Sequence, residues 1–177
     1  MKDRIEIVAS GFGGQGVVRL GQVIGEAAVK AGLRVSMLKS HGTEMRGGYV
    51  RSQIVLSNKN IDSPVCENVD IFIALSSAAY NRFKDTVPAE GLIIYDPAFV
   101  ETIDKNLKCR QQPLPAKQLA LDNFNKPLFS NTIALGAMAK LLKDHLKKET
   151  ILESILEIIP KFQDQNRQAF QIGYEQL

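Results

Sequence analysis

A chain of 177 residues that is 45% hydrophobic and 23% charged is long enough for one domain with a sizeable core and short for two. Its formal charge of +3 is spread through the chain rather than gathered in a basic stripe, and tryptophan is absent, so nucleic acid is not an expected partner. No stretch approaches the roughly 18 uninterrupted apolar residues of a membrane span, and Met1-Lys2-Asp3-Arg4 enters a strand without a signal-peptide apolar region, so the expected setting is the cytoplasm.

Ile5-Glu6-Ile7-Val8-Ala9-Ser10 is a compact apolar run that reads as the first strand, and it leads into Gly11-Phe12-Gly13-Gly14-Gln15-Gly16. From there, apolar or small residues recur at Val17, Leu20, Ile24, Ala27, Ala28 and Ala31, the spacing of one stripe along a helix that Gly32 ends. Strand, glycine turn and helix make the opening half of a βαβ unit. Arg34 to Lys39 reads as the second strand, followed by the glycine-rich loop Ser40-His41-Gly42-Thr43-Glu44-Met45-Arg46-Gly47-Gly48. Tyr49 to Ser57 reads as the third, with Val50, Ser52, Ile54 and Leu56 on one face and Tyr49, Arg51, Gln53 and Val55 on the other, an alternation that predicts one exposed face. The link between the second and third strands is too short for a crossover helix, so they pair antiparallel or the loop between them is unusual. If the first two strands are parallel neighbours, their two glycine loops meet at the carboxyl end of the sheet, where open α/β sheets bind ligands.

Residues 58–69 are polar and read as a connection, then Asp70 to Leu75 is a buried strand and Ser76 caps a helix running to Phe83 or Lys84. Glu90 to Tyr95 is another core strand, stopped by Asp96-Pro97, and a short strand is expected at Lys108 to Gln112. Residues 116–126 fit no single pattern. Helices are expected from Leu128 to about His145, from Glu149 to Ile159 with Pro160 closing it, and from Asp164 to Gln171 with an end at Gly173. The fold class is therefore α/β over a single domain, 1–177: a Rossmann-like sheet with flanking helices, room for mixed strand directions, and a helical C-terminal third.

The spacing Gly11-x-Gly13-x-x-Gly16 suits a phosphate at a helix amino terminus. However, the acid that would bond a ribose after the second strand is replaced by Lys39-Ser40-His41, Gln15 puts a bulky polar side chain in the turn, and no Gly-Lys-Ser/Thr ending makes a P-loop. Gly11, Gly13, Gly14, Gln15 and Gly16 are thus candidates for a nucleotide or other anion, or for a packing or interface turn. His41, Glu44 and Arg46 could present base, anion and cation in one crevice, or form an ion pair that pins the loop. Asp96 and Asn131 could reach the same sheet edge, or serve as a turn residue and a backbone-bonding residue. Ser10 and Ser40 lack a nucleophile elbow. Cys66 and Cys109 form no Cys-x-x-Cys pair and are expected to be free and buried; His145, near Lys143 and Lys147, is expected at the surface. No metal set and no catalytic set is assembled, which fits a subunit of an assembly better than a self-sufficient enzyme.

Gly11-Phe12-Gly13-Gly14-Gln15-Gly16-Val17, the Glu44-x-Arg46-Gly47-Gly48 loop, Ser52, Asn131-Thr132-Ile133-Ala134-Leu135-Gly136 and the closing Asn166, Ala169, Phe170 and Gly173 together resemble the gamma subunit of the 2-oxoacid:ferredoxin oxidoreductases, most closely the 2-oxoglutarate type. The resemblance runs over roughly residues 4 to 174. It implies oxidative decarboxylation of a 2-oxoacid with coenzyme A to an acyl-CoA, carbon dioxide and reduced ferredoxin. It also implies that thiamine diphosphate with magnesium and the iron–sulfur clusters sit on alpha, beta and cluster-bearing partner subunits, so that this chain binds no cofactor alone and is inactive when isolated. His41, Glu44, Arg46, Gly47, Gly48 and Asn131 would then face a partner or a substrate channel. Two rival readings are a stand-alone nucleotide-binding enzyme and a structural homodimer.

Overall fold

The computed structural model describes residues 2–41 and 49–177, His41 by its backbone alone. Along the chain lie β1 (Arg4–Phe12), α1 (Val17–Lys30), β2 (Arg34–His41), β3 (Tyr49–Ser57), β4 (Ile71–Ala74), α2 (Ser77–Phe83), β5 (Leu92–Tyr95), β6 (Arg110–Pro113), α3 (Ala116–Phe124), α4 (Ser130–Leu141), α5 (Lys148–Ile158) and α6 (Gln163–Tyr174). The strands form one mixed sheet in the order β2-β3-β1-β4-β5-β6. β1, β4, β5 and β6 run parallel, while β3 is antiparallel to both β1 and β2.

The antiparallel pairing of β2 with β3 is what their short connection requires, since parallel pairing needs a crossover of a dozen or more residues. In the observed strand order, however, the first two strands are not neighbours. β3 stands between them, and the end of β1 (Phe12) lies opposite the start of β3 (Tyr49). The expected exposed face of β3 is covered as well, because Gln53 and Val55 are buried. Residues 58–69 fold back across that face, where the Cys66 amide donates to Gln53 Oε1 at 3.3 Å and the Glu67 and Asn68 amides donate to the buried Glu6 carboxylate at 2.6 Å. Exposure falls instead on β2, whose Arg34, Leu38 and Lys39 are open to solvent at the sheet edge.

One face of the sheet packs Ile7, Ile54 and Ile73 against Leu20, Ile24, Ile133, Met138, Ile155 and Phe170 of α1 and α4–α6. The other packs Val8, Phe72 and Ile93 against Tyr80 and Phe83 of α2 and Val100. Ser76 caps α2 as its position predicts, its side chain accepting from the Ala79 amide at 3.1 Å. The undecided stretch after Pro115 is α3. The helix expected over residues 128–145 is shorter, a 3-10 turn at Pro127–Phe129 followed by α4. Gly173 does not end the last helix; α6 continues through it to Tyr174. His145 is half-buried rather than solvated, and burial holds its imidazole below the ordinary pKa. Among the described residues, no helix is long and apolar enough to cross a membrane.

Both cysteines are free, Cys109 buried and Cys66 partly so, and burial pushes the Cys66 thiol up to about 12. A thiolate is the reactive form, so Cys66 should react with a thiol reagent at pH 8 far more slowly in the native protein than in denaturant, which stopped-flow labelling will measure. The folded state then holds its proton where the unfolded chain loses it. Stability should therefore fall as pH rises above the ordinary thiol value and continue to fall toward about 12. Native labelling as fast as denatured labelling would contradict this.

Candidate functional site

β1 sends its chain to α1 on one face of the sheet, and the adjacent parallel β4 sends its chain to α2 on the other. Between two such strands the connections diverge and leave a crevice at their carboxyl ends. Gln15 spans this switch point. Its Oε1 accepts from the Phe12 amide at 2.6 Å and its Nε2 donates to the Leu75 carbonyl at 2.7 Å, tying the turn after β1 to the turn after β4. A bulky polar residue in a glycine turn, which counts against a nucleotide loop in the sequence, is the tie that shapes the turn. Gly11 leaves the room: a Cβ there would lie 2.8 Å from Leu75 Cβ and overlap Gln15 Oε1.

Gly16 is the N-cap of α1 at φ 76°, ψ 16°, a left-handed conformation costly for any residue with a side chain. Its carbonyl accepts from Asn131 Nδ2 at 3.3 Å, so Asn131 in the first turn of α4 holds the glycine turn against the helical layer. Asn131 Oδ1 is buried and has no partner among the described residues. Structure thus brings Gly14, Gln15, Gly16 and Asn131 together, as parts of one crevice wall. The residues from Gly42 to Gly48, and with them Glu44, Arg46, Gly47 and Gly48, lie outside the described residues, as does the side chain of His41.

The crevice has a volume of about 980 Å³, the upper end of the range for small-molecule sites. Arg19, Lys117, Lys126 and Lys161 stand around it, and Asp96 is its single carboxylate among the described residues. None of these four cations enters a salt bridge among the described residues. Lys117 lies over the Phe99 ring at 4.9 Å and Lys126 over the Phe162 ring at 5.2 Å. Asp96 is buried, and burial raises its pKa even though its two oxygens accept from the Ala98 and Lys117 amides at 2.9 and 2.8 Å. It therefore acts as the turn residue its Asp-Pro setting predicts, while lining the crevice. The far end of the cavity is apolar, with Leu128, Phe129, Ile158, Ile159, Pro160 and Phe162. Excess positive charge along the crevice and apolar surface at one end suit an anion with an apolar part. Sequence reasoning missed the four cations because they come from α1, the undecided stretch and two helix connections, and no spacing links them.

Residues 6–176 match the family described as pyruvate ferredoxin/flavodoxin oxidoreductase. The chain belongs to that family. It is 34% identical to the 2-oxoglutarate synthase subunit KorC of Methanocaldococcus jannaschii, over 99% of this chain and 95% of that one. Its fold superposes on the gamma subunit of the keto/oxoacid ferredoxin oxidoreductase of Geobacter sulfurreducens with a TM-score of 0.84 at 28% identity, each chain covered to 97%. With the 2-oxoglutarate:ferredoxin oxidoreductase of Magnetococcus marinus, a structure with 2-oxoglutarate, coenzyme A and succinyl-CoA bound, the TM-score is 0.87 at 25% identity. There the match takes in 99% of this chain but 31% of the longer one. The chain is a gamma-type subunit of a 2-oxoacid:ferredoxin oxidoreductase, most like the 2-oxoglutarate type.

Proposed function

We propose that this subunit serves a complex that oxidatively decarboxylates 2-oxoglutarate with coenzyme A, giving an acyl-CoA, carbon dioxide and reduced ferredoxin. Its own part is to receive the anionic co-substrate. The observation that carries this reading is the crevice at the switch point, with Arg19 and Lys117 unpaired among the described residues and the amino terminus of α1 in the same wall. In this reading Gly11, Gly13, Gly14, Gln15 and Gly16 shape the anion-facing turn and Asn131 anchors it. His41, Glu44, Arg46, Gly47 and Gly48 face the partner subunits or the channel between them.

Thiamine diphosphate with its magnesium would supply the decarboxylation chemistry, and iron–sulfur clusters the electron path, both on the alpha, beta and cluster-bearing partners. The four thiolates of a cluster are not in this sequence, which has two cysteines. The choice of 2-oxoglutarate draws on the Methanocaldococcus relative.

The test is co-expression with the neighbouring subunits and purification through this chain. Viologen reduction is then assayed with 2-oxoglutarate, pyruvate and indolepyruvate, each with and without coenzyme A. Recovery of thiamine- and cluster-bearing subunits, with turnover that needs coenzyme A and prefers 2-oxoglutarate, is the expected result. Recovery of this chain alone with a nucleotide retained in the crevice would replace this reading with that of a stand-alone nucleotide-binding enzyme.

A further inference from the structure

We propose that two turns at the apolar end of the crevice, residues 125–129 and 159–162, form a clamp that docks a partner subunit of the complex through an apolar side chain flanked by carboxylates. The inference rests on the subunit reading above and goes beyond it by naming the surface.

Asn125 at φ 54° and Phe162 at φ 59° are the two non-glycine residues with positive φ among the described residues, and each belongs to one of these turns. A phenylalanine rarely adopts that conformation, and backbone strain of this kind persists only where the surroundings over-determine it. Here they do. The Asn166 amide donates to the Phe162 carbonyl and Asn166 Nδ2 donates to the Lys161 carbonyl, both at 2.9 Å. The buried Thr132 hydroxyl donates to Asn166 Oδ1 at 2.8 Å and fixes that amide from behind.

This framework does not hide the Phe162 ring, which stays 43% exposed, and Leu128 across from it is 59% exposed. Phe162 stands edge-on to Phe129 at 6.0 Å, and Phe129 lies 4.6 Å from Phe124. Pro127 and Pro160 complete the apolar lips. Rigid, exposed aromatic and aliphatic groups around a pocket are the form a binding hot spot takes, and their pre-organisation spares the ordering cost of association.

Charge selects the occupant. Lys126 and Lys161 rim the clamp and are exposed, without a carboxylate partner among the described residues. A second copy meeting the same face across a two-fold axis would set these lysines against each other. An apolar anchor with flanking acids meets them favourably. A partner within the same complex is further supported by the Magnetococcus chain, in which this fold accounts for 31% of a longer polypeptide and so sits beside more protein.

The test uses the co-expressed complex with Leu128→Glu and Phe162→Gly variants. Leu128 is exposed, and glycine at 162 removes the ring while relieving the left-handed strain, so both variants should keep the wild-type circular dichroism spectrum, and Leu128→Glu the wild-type thermal midpoint. The expected result is an intact fold with partner-subunit affinity at least about tenfold weaker in each. Wild-type recovery of the partner subunits by both variants overturns this proposal alone. Failure of the unmodified chain to recover any partner overturns the subunit reading, and the clamp with it. A dimer of the isolated chain that Leu128→Glu abolishes, with partner recovery unchanged, assigns the patch to a second copy and overturns the proposal as well.

Discussion

Replacing Gly173 by alanine will destabilise the protein, although a glycine-to-alanine change inside a helix ordinarily stabilises it by about 1 kcal/mol. α4 and α6 cross at glycines from both sides. A Cβ at Gly173 would lie 2.6 Å from the Ile133 carbonyl carbon and closer still to its oxygen; one at Gly136 would lie 2.8 Å from the Tyr174 nitrogen and closer still to the Phe170 oxygen. These neighbours are helical backbone, which cannot rotate away as a side chain can. The two helices must separate, and contacts around Ile133, Ala169 and Phe170, all buried, loosen together. Overpacking of this kind costs about 3 kcal/mol, which in a chain of this length lowers the thermal midpoint by roughly 6–12 °C. Thermal denaturation followed at 222 nm measures it. A midpoint unchanged or raised for both Gly173→Ala and Gly136→Ala would show that the helices do not cross as described.

The second large effect is expected at Gln15→Glu, a change of one atom in shape. The carboxylate keeps an acceptor for the Phe12 amide but loses the donor that reaches the Leu75 carbonyl at 2.7 Å, so two oxygens face each other across the switch point. Leaving the carbonyl without its donor costs about 1–3 kcal/mol. The new charge also sits at the end of the crevice proposed to receive an anion, beside the α1 amino terminus, where it competes with the ligand for the same positive field. In the assembled complex, KM for coenzyme A should rise about tenfold or more, the equivalent of roughly 1.4 kcal/mol, with a smaller change in turnover at saturating co-substrate. Gln15→Ala, which removes the tie without adding charge, should raise it less. Equal KM values for all three proteins would separate the glycine turn from co-substrate binding.

These two positions show different relations between sequence and structure. Gly173 was legible as a feature but not as a function: a glycine near the end of a polar-apolar pattern reads as a helix stop, and nothing local reveals that Ile133, forty residues earlier, needs its space. Gln15 was legible only as an anomaly in a phosphate-type turn, because its partner Leu75 belongs to another βα connection. β3 misled for the same reason. Its polar alternation is that of a half-exposed strand, yet Gln53 is satisfied by the Cys66 amide from a segment that crosses the sheet. The crevice cations, Arg19, Lys117, Lys126 and Lys161, share no spacing at all.

By itself the sequence determined the α/β class, the opening strand–glycine turn–helix and the Ser76 cap, and it narrowed β2 and β3 to antiparallel pairing or an unusual loop, since each depends on periodicity, a capping hydroxyl or the length of a connection. It also carried the family, because the Gly-Gly-Gln-Gly and Glu-x-Arg-Gly-Gly segments are runs of adjacent residues. Only the tertiary structure decided the strand order with β3 between β1 and β2, the crossing of α4 and α6 at paired glycines, and the gathering of cations and aromatic rings around one crevice. Those depend on which distant segments meet, and hydrophobic burial, the force that brings them together, is non-directional: its spacing marks which face of an element is covered, not which segment covers it.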